Sequence, residues 1–153
     1  MLYFAYGSNM SCGAMAGRCP GAQALGTATL ERWRFLICPA GYASVEPRAG
    51  AVVHGVLWRL GARELAILDA YESLDSGLYV RRRLPVRRDG HLLPAWVYIA
   101  GRRGEGRAKP AYFQGVLAAA GEWGLPKAHL DQLRRWSATG WRGAPHKETG
   151  EVG

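Results

Sequence analysis

Cysteine is scarce in this chain, and long apolar runs are missing altogether. The three cysteines, Cys12, Cys19 and Cys38, are odd in number. Neither their spacing nor a neighbouring histidine forms a metal-ligand pattern, so neither a disulfide framework nor a zinc site is expected. They read as free thiols in a reducing compartment. A catalytic thiol needs a basic partner, and His54, His91, His129 and His146 stand in no recognisable arrangement with any of the three. Each histidine reads as a surface residue or a satisfied core one. No segment approaches the ~18 apolar residues of a membrane-crossing helix, and no internal period repeats. The N-terminus carries neither the basic stretch nor the long apolar core of an export signal. The expectation is a soluble, cytoplasmic protein that needs no metal, cofactor or membrane.

What is present fits one folded domain. At 153 residues the chain lies within the ~100–200 residues that a single hydrophobic core serves. Its 48% apolar, 10% aromatic and 21% charged residues exclude global disorder. The 21 glycines follow no collagen-like period and imply many tight turns, hence a sheet-containing fold. A net charge of +8 could draw an anionic partner such as nucleic acid.

Along the chain, Leu2–Tyr6 reads as a short strand and Ser11–Gly17 as a short helical turn, stopped by Pro20 and Gly21. A second strand spans Leu25–Cys38. The segment "GYASVEPRAGA" reads as an exposed, turn-rich loop, and "AVVHGVLWRL" as a third strand in which Gly55 marks a bulge or a close approach. A helix is expected over "ARELAILDAYE", where straight-chain residues and alanine dominate. Asp89-Gly90 between two period-two segments signals a hairpin, with Pro85 and Pro94 as interruptions or edge positions. Pro110 can open a helix with a stripe of Tyr112, Phe113, Val116, Leu117 and Ala120, closed by Gly124. Pro126 opens another, with Leu130, Leu133 and Trp136 spaced for packing. From Ser137 periodicity fades. The expected organisation is α+β, one domain over 1–140 and a loose tail over 141–153 in which Trp141 offers an anchor.

Two features carry chemistry. The first is Tyr6-Gly7-Ser8-Asn9, a polar turn at the end of the first strand. A glycine there permits positive φ and close backbone approach, so successive N–H groups can aim at one carboxylate or oxyanion. The same residues also suit a capped turn into the next helix, and local chemistry leaves both readings open. The second is Glu72 in "LDAYESLDSGLY". If the helix persists, Glu72 shares a face with Leu65 and Leu68, and a carboxyl on an apolar wall has the raised pKa that a general base near neutral pH requires. If it ends at Tyr71, Glu72 points to water or pairs with an arginine of "VRRRL". Glu64 and Asp75 lack apolar companions and read as solvated.

Taken together, YGSN directly after an N-terminal strand, a later LDxxExxxSGxY segment and a tyrosine opening a late helix resemble the γ-glutamylcyclotransferase-like (AIG2-like) family, from Leu2 to about Trp141. The resemblance implies an α+β fold built on a small, partly closed β-barrel with flanking helices and a cavity at one end. It implies that Tyr6, Gly7, Ser8 and Asn9 bind a γ-glutamyl moiety and that Glu72 is the catalytic acid/base. Tyr79 and Tyr112 match pocket tyrosines, although they also read as a strand aromatic and a member of a helix stripe. The implied reaction releases 5-oxoproline from a γ-glutamyl amide by attack of the substrate's own α-amine, which needs no metal or cofactor. The partner is then a small molecule: a γ-glutamyl amino acid, a γ-glutamyl amine, glutathione or a γ-glutamyl-protected natural product.

The alternative is a basic module that binds nucleic acid or another anion without catalysis. Arg81, Arg82, Arg83, Arg87 and Arg88 crowd the hairpin, and Arg102, Arg103 and Arg107 follow. A basic patch is more often a solvated face, and the aromatic-rich RNA-binding signatures are missing. Oligomeric state is not legible.

Overall fold

The computed structural model describes residues 1–137, except the side chain of Asp75. The expected tail, the anchoring role of Trp141 and the solvation of Asp75 lie outside the described residues. Strand β1 (Leu2–Ala5) leads through a 3-10 turn at Ser8–Met10 into helix α1 (Cys12–Arg18). Strands β2 (Gln23–Ile37) and β3 (Ala43–Arg59) form a long ribbon, and α2 (Ala62–Tyr71) leads to a second ribbon of β4 (Tyr79–Arg88) and β5 (His91–Ala100). Helices α3 (Pro110–Glu122) and α4 (Lys127–Arg135) follow.

The strands close into a barrel in the order β1-β3-β2-β4-β5. Two seams are thin: β1 meets β5 in parallel at Tyr3↔Trp96, and β2 meets β4 at Thr29↔Arg87. Phe4, Leu30, Val53, Leu57, Val86 and Val97 are buried, as expected of alternating apolar residues on one face of a closed sheet. Outside, α3 buries Phe113, Val116, Ala119 and Ala120, and α4 buries Leu133. Tyr112 and Leu117 stay half-buried at the flank of that stripe. Pro110 opens α3 and Gly124, at φ 64°, follows its C-cap, the expected start and stop.

The central hairpin follows its turn chemistry. Asp89 and Gly90 both have positive φ, 49° and 78°, as the favoured two-residue hairpin turn demands. The register then runs unbroken from Arg88↔His91 to Tyr79↔Ala100 and sets Pro85 opposite Pro94. Alternation counted from the turn makes that pair a non-hydrogen-bonded one, so neither missing N–H is needed in this ladder. The prolines therefore do not interrupt the ribbon.

The expected exposed loop over 41–51 is a correction. Strand β3 begins at Ala43, and Ala43, Ser44 and Val45 are buried. Their pairing with Ile37, Leu36 and Phe35 overrides the local turn signals of Pro47 and Gly50. An irregularity between Glu31 and Trp33 absorbs the misfit, with Arg32 at φ 68° and Gly50 at φ 79°. Gly55 is a close approach and not a bulge: it pairs with Ala28 in register, and a Cβ there would lie 2.3 Å from the carbonyl oxygen of Ala5.

Candidate active site

All seven tyrosines of the chain line one cavity of about 250 Å³, together with Phe4, Gly7, Ser8, Asn9, Ala43, Glu72, Ser73 and Leu78. Every candidate from the sequence is therefore at one place: Tyr6, Gly7, Ser8, Asn9, Glu72, Tyr79 and Tyr112.

The turn after β1 forms one side. The Met10 and Ser11 amides donate to the carbonyls of Gly7 and Ser8 at 3.1 and 3.2 Å, whereas the amides of Gly7, Ser8 and Asn9 have no backbone acceptor among the described residues. Such leading N–H groups of a helical turn are the ones left for a ligand or water. Gly7 does not use positive φ (φ −119°). It is favoured by space: a Cβ would meet the Tyr112 hydroxyl at 3.1 Å and the Ala43 Cβ at 3.2 Å, tight contacts at the cavity wall. The capped-turn reading holds as well, one residue further on, where the Ser11 hydroxyl accepts from the Ala14 amide at 3.1 Å. Trp123 Nε1 donates to the Met10 carbonyl at 2.7 Å and so ties the turn to the end of α3.

Glu72 enters from the opposite wall. Helix α2 stops at Tyr71, one residue short of the expected span, because Ser73 adopts the left-handed conformation (φ 54°) beyond the C-cap residue Glu72. Ending the helix does not turn Glu72 outward; it lines the cavity. Among the described residues no hydrogen bond or ion pair reaches its carboxylate, and no arginine of β4 pairs with it. Burial pushes its carboxyl up to about 7, opposed by the Arg18 guanidinium.

The tyrosines are differently committed. Tyr6 donates to the Tyr98 carbonyl, Tyr79 to the Ala43 carbonyl at 2.5 Å, and Tyr98 to Asp69 Oδ1 at 2.7 Å. Tyr112 instead accepts from the Ala43 amide at 3.2 Å, and Tyr3 accepts from Asn9 Nδ2 at 3.0 Å. These bonds leave the Tyr3 and Tyr112 protons free of a protein acceptor among the described residues. Burial, then the nearby Glu72 carboxyl, raises the Tyr3 and Tyr6 phenols well above their ordinary value, and burial raises Tyr79, Tyr98 and Tyr112 likewise. All five are neutral donors at physiological pH, so the carboxyl is the group that titrates there.

Sequence reasoning missed Tyr3, Tyr42, Tyr98, Ala43 and Arg18. A signal for the tyrosines existed in composition, with seven Tyr against three Phe: an apolar core has no use for so many hydroxyls unless they find partners. Arg18 had none, because its neighbours are brought to it only by the fold.

The basic hairpin turns its charge elsewhere. Arg81 pairs with Asp69 at 2.5 Å, and Arg81 and Arg83 both lie over the Trp96 ring, at 4.3 and 4.7 Å from its centroid. Arg82 lies 5.7 Å from the Trp33 ring centroid, Arg87 pairs with Glu31, and Arg88 donates to the Thr27 carbonyl at 2.8 Å. None of them lines the cavity. Among the described residues no helix is long and apolar enough to cross a membrane, and no His, Cys, Asp and Glu group could hold a metal ion.

Comparison with known proteins gives the family and the fold. The family model for "Gamma-glutamyl cyclotransferase, AIG2-like" matches residues 3–124. The chain is similar to γ-glutamylcyclotransferase of Mus musculus, 27% identical over 99% of this chain and 86% of that protein, and to its Homo sapiens counterpart, 25% identical with the same coverage. A solved structure named γ-glutamyl cyclotransferase superposes with a TM-score of 0.85 at 25% identity, covering 97% of this chain and 94% of the other.

Proposed function

Since the chain belongs to the γ-glutamyl cyclotransferase, AIG2-like family, we propose that it cleaves γ-glutamyl amides to 5-oxoproline and a free amine or amino acid, with Glu72 as general acid/base. The observation that carries this reading is the Glu72 carboxyl, unpartnered and raised to about 7 by burial, facing a turn whose first amides are unclaimed across the same cavity.

The nucleophile is built into the substrate, so the protein has to fold the substrate back on itself. The amides of Gly7, Ser8 and Asn9 suit its anionic groups, and holding the α-amine against the γ-carbonyl is worth several kcal/mol of orientation. Glu72 takes a proton from the ammonium, the freed amine bonds to the γ-carbon, and an oxyanion forms. The tetrahedral intermediate then collapses: the bond to the leaving nitrogen breaks while Glu72 returns the proton to it, and the carboxylate so regenerated passes the second proton of the ring nitrogen to the departing amine, which leaves as an ammonium. A carboxyl poised near 7 serves both steps at physiological pH. Neutral hydroxyls of Tyr3 and Tyr112, or the turn's amides, donate to the oxyanion; one such donor is worth ~10²–10³ in rate in other enzymes.

The test is incubation with a panel of γ-glutamyl amino acids, γ-glutamyl amines and glutathione, with 5-oxoproline followed by mass spectrometry. At least one member is converted by the wild type, and Glu72→Gln is folded and inactive. Near-full activity of that variant removes Glu72 from the role, and no turnover of any member removes the reaction.

A further inference from the structure

We propose that Arg18 is the positioning residue of this site, one guanidinium that fastens the substrate-binding turn and the Glu72 corner to each other. It sits at the last position of α1, favourably placed against the negative end of the helix. Its Nη1 donates to Asn9 Oδ1 at 2.5 Å, with Ser8 Oγ at 3.5 Å. Its guanidinium carbon also lies 4.1 Å from the centroid of the Tyr71 ring, and Tyr71 is the residue before Glu72. Among the described residues no hydrogen bond joins the turn directly to the end of α2, so this guanidinium is the tie between walls that enter the cavity from distant parts of the chain.

The same contact explains Asn9. Its side chain is 2% exposed, with Oδ1 taken by Arg18 and Nδ2 donating to the Tyr3 hydroxyl. Asn9 is thus a brace between a cation and a cavity phenol, not a free ligand for substrate. A buried amide demands partners at both ends, so removing Arg18 orphans Oδ1 and loosens Ser8, Asn9 and Tyr3 together. Lysine keeps the charge but not the flat, forked donor that both bonds Asn9 and stacks on Tyr71. The guanidinium is also the cation that opposes the burial of Glu72.

The inference rests on the cyclotransferase reading for its kinetic arm only. In ligand-free protein, carbon NMR follows the Glu72 carboxyl through its titration in wild type, Arg18→Lys and Arg18→Met. The methionine variant titrates at higher pH than wild type, and the lysine variant lies between. In steady-state kinetics both variants raise KM for the γ-glutamyl amide about tenfold, as the loss of one charge-assisted hydrogen bond predicts, and the pH–rate limb moves with the NMR midpoint. An Arg18→Met protein with wild-type midpoint and wild-type KM overturns the proposal; if that variant does not fold, an unchanged KM in Arg18→Lys does so. Absence of turnover in every protein, wild type included, defeats the reaction and leaves the NMR comparison to decide Arg18.

Discussion

The hydroxyl of Tyr79 donates to the carbonyl oxygen of Ala43 at 2.5 Å. The amide of the same residue donates to the Tyr112 hydroxyl at 3.2 Å, so the start of β3, at the rim of the cavity, is held at both faces of one residue. The two phenols are not equivalent. Tyr79 spends its proton on the protein, whereas Tyr112 accepts and keeps its proton for the cavity.

That asymmetry predicts different losses. Tyr79→Phe leaves a buried carbonyl short of a donor and costs about 1 kcal/mol or more of stability, with turnover falling only as far as the rim shifts. Tyr112→Phe also orphans an amide, but it removes a cavity donor as well, so kcat falls by more than stability accounts for. Denaturant unfolding and steady-state kinetics on both variants separate the two. A Tyr112→Phe enzyme with undiminished kcat would show that its proton does no chemistry.

Glu72→Gln tests the acid independently of any substrate. The native carboxyl holds its proton up to pH about 7, against 4.5 for the ordinary group. Between those values the folded carboxyl binds more protons than the unfolded one, so its contribution to wild-type stability falls as pH rises. Glutamine has no such slope. The variant should match wild type near pH 4 and exceed it at pH 8 by up to about 3 kcal/mol. Parallel unfolding free energies of the two proteins across that range would mean that the carboxyl is well solvated.

Glycine positions give a sharper steric contrast. At Gly55 a Cβ would lie 2.3 Å from the Ala5 carbonyl oxygen and 2.8 Å from Phe4 Cζ, contacts that only backbone movement in β1 can relieve. Gly55→Ala should cost about 1–3 kcal/mol or more. At Gly7 the contacts are 3.1 Å to the Tyr112 hydroxyl and 3.2 Å to the Ala43 Cβ, both side-chain atoms at the cavity. Gly7→Ala should therefore leave the melting temperature nearly unchanged and raise KM. The reverse ranking in a thermal melt would refute this.

Where the sequence was legible, the cause of structure was local. Asp89-Gly90 dictates its own turn, Pro110 its own helix start, and Tyr6-Gly7-Ser8-Asn9 breaks a strand by its own composition. Glu72 was half legible: its spacing from Leu65 and Leu68 gave the inward direction, but the helix stop depends on the left-handed Ser73, which no propensity of serine announces. The segment over 43–47 was misread because its strand exists only through pairing with 33–37. Arg18 was invisible for the same reason, since Asn9 and Tyr71 become its neighbours only after folding.

His129 supplies the opposite pH dependence to Glu72. It is 2% exposed, neither ring nitrogen has a hydrogen-bond partner among the described residues, and the His54 ring centroid lies 5.2 Å away. Burial, then the neighbouring His54, pushes its pKa down to about 4, and burial lowers His54 as well. The unfolded chain protonates His129 near 6.5 while the native state resists to about 4, so stability is lost as pH falls through that window. Removing the imidazole removes its share of the slope. His129→Leu should raise stability relative to wild type at pH 4.5 by up to about 3 kcal/mol, more than at pH 8, where the gain is confined to the orphaned ring nitrogens. The His129 window, from 6.5 down to about 4, and the Glu72 window, from 4.5 up to about 7, overlap and offset each other, so wild type should be most stable across the overlap and lose stability below it through His129 and above it through Glu72. His129→Leu should move that maximum to lower pH and Glu72→Gln to higher pH. Unfolding free energies from pH 4 to 9 on the three proteins check this, and a maximum that stays fixed in either variant would disconnect that residue from the profile.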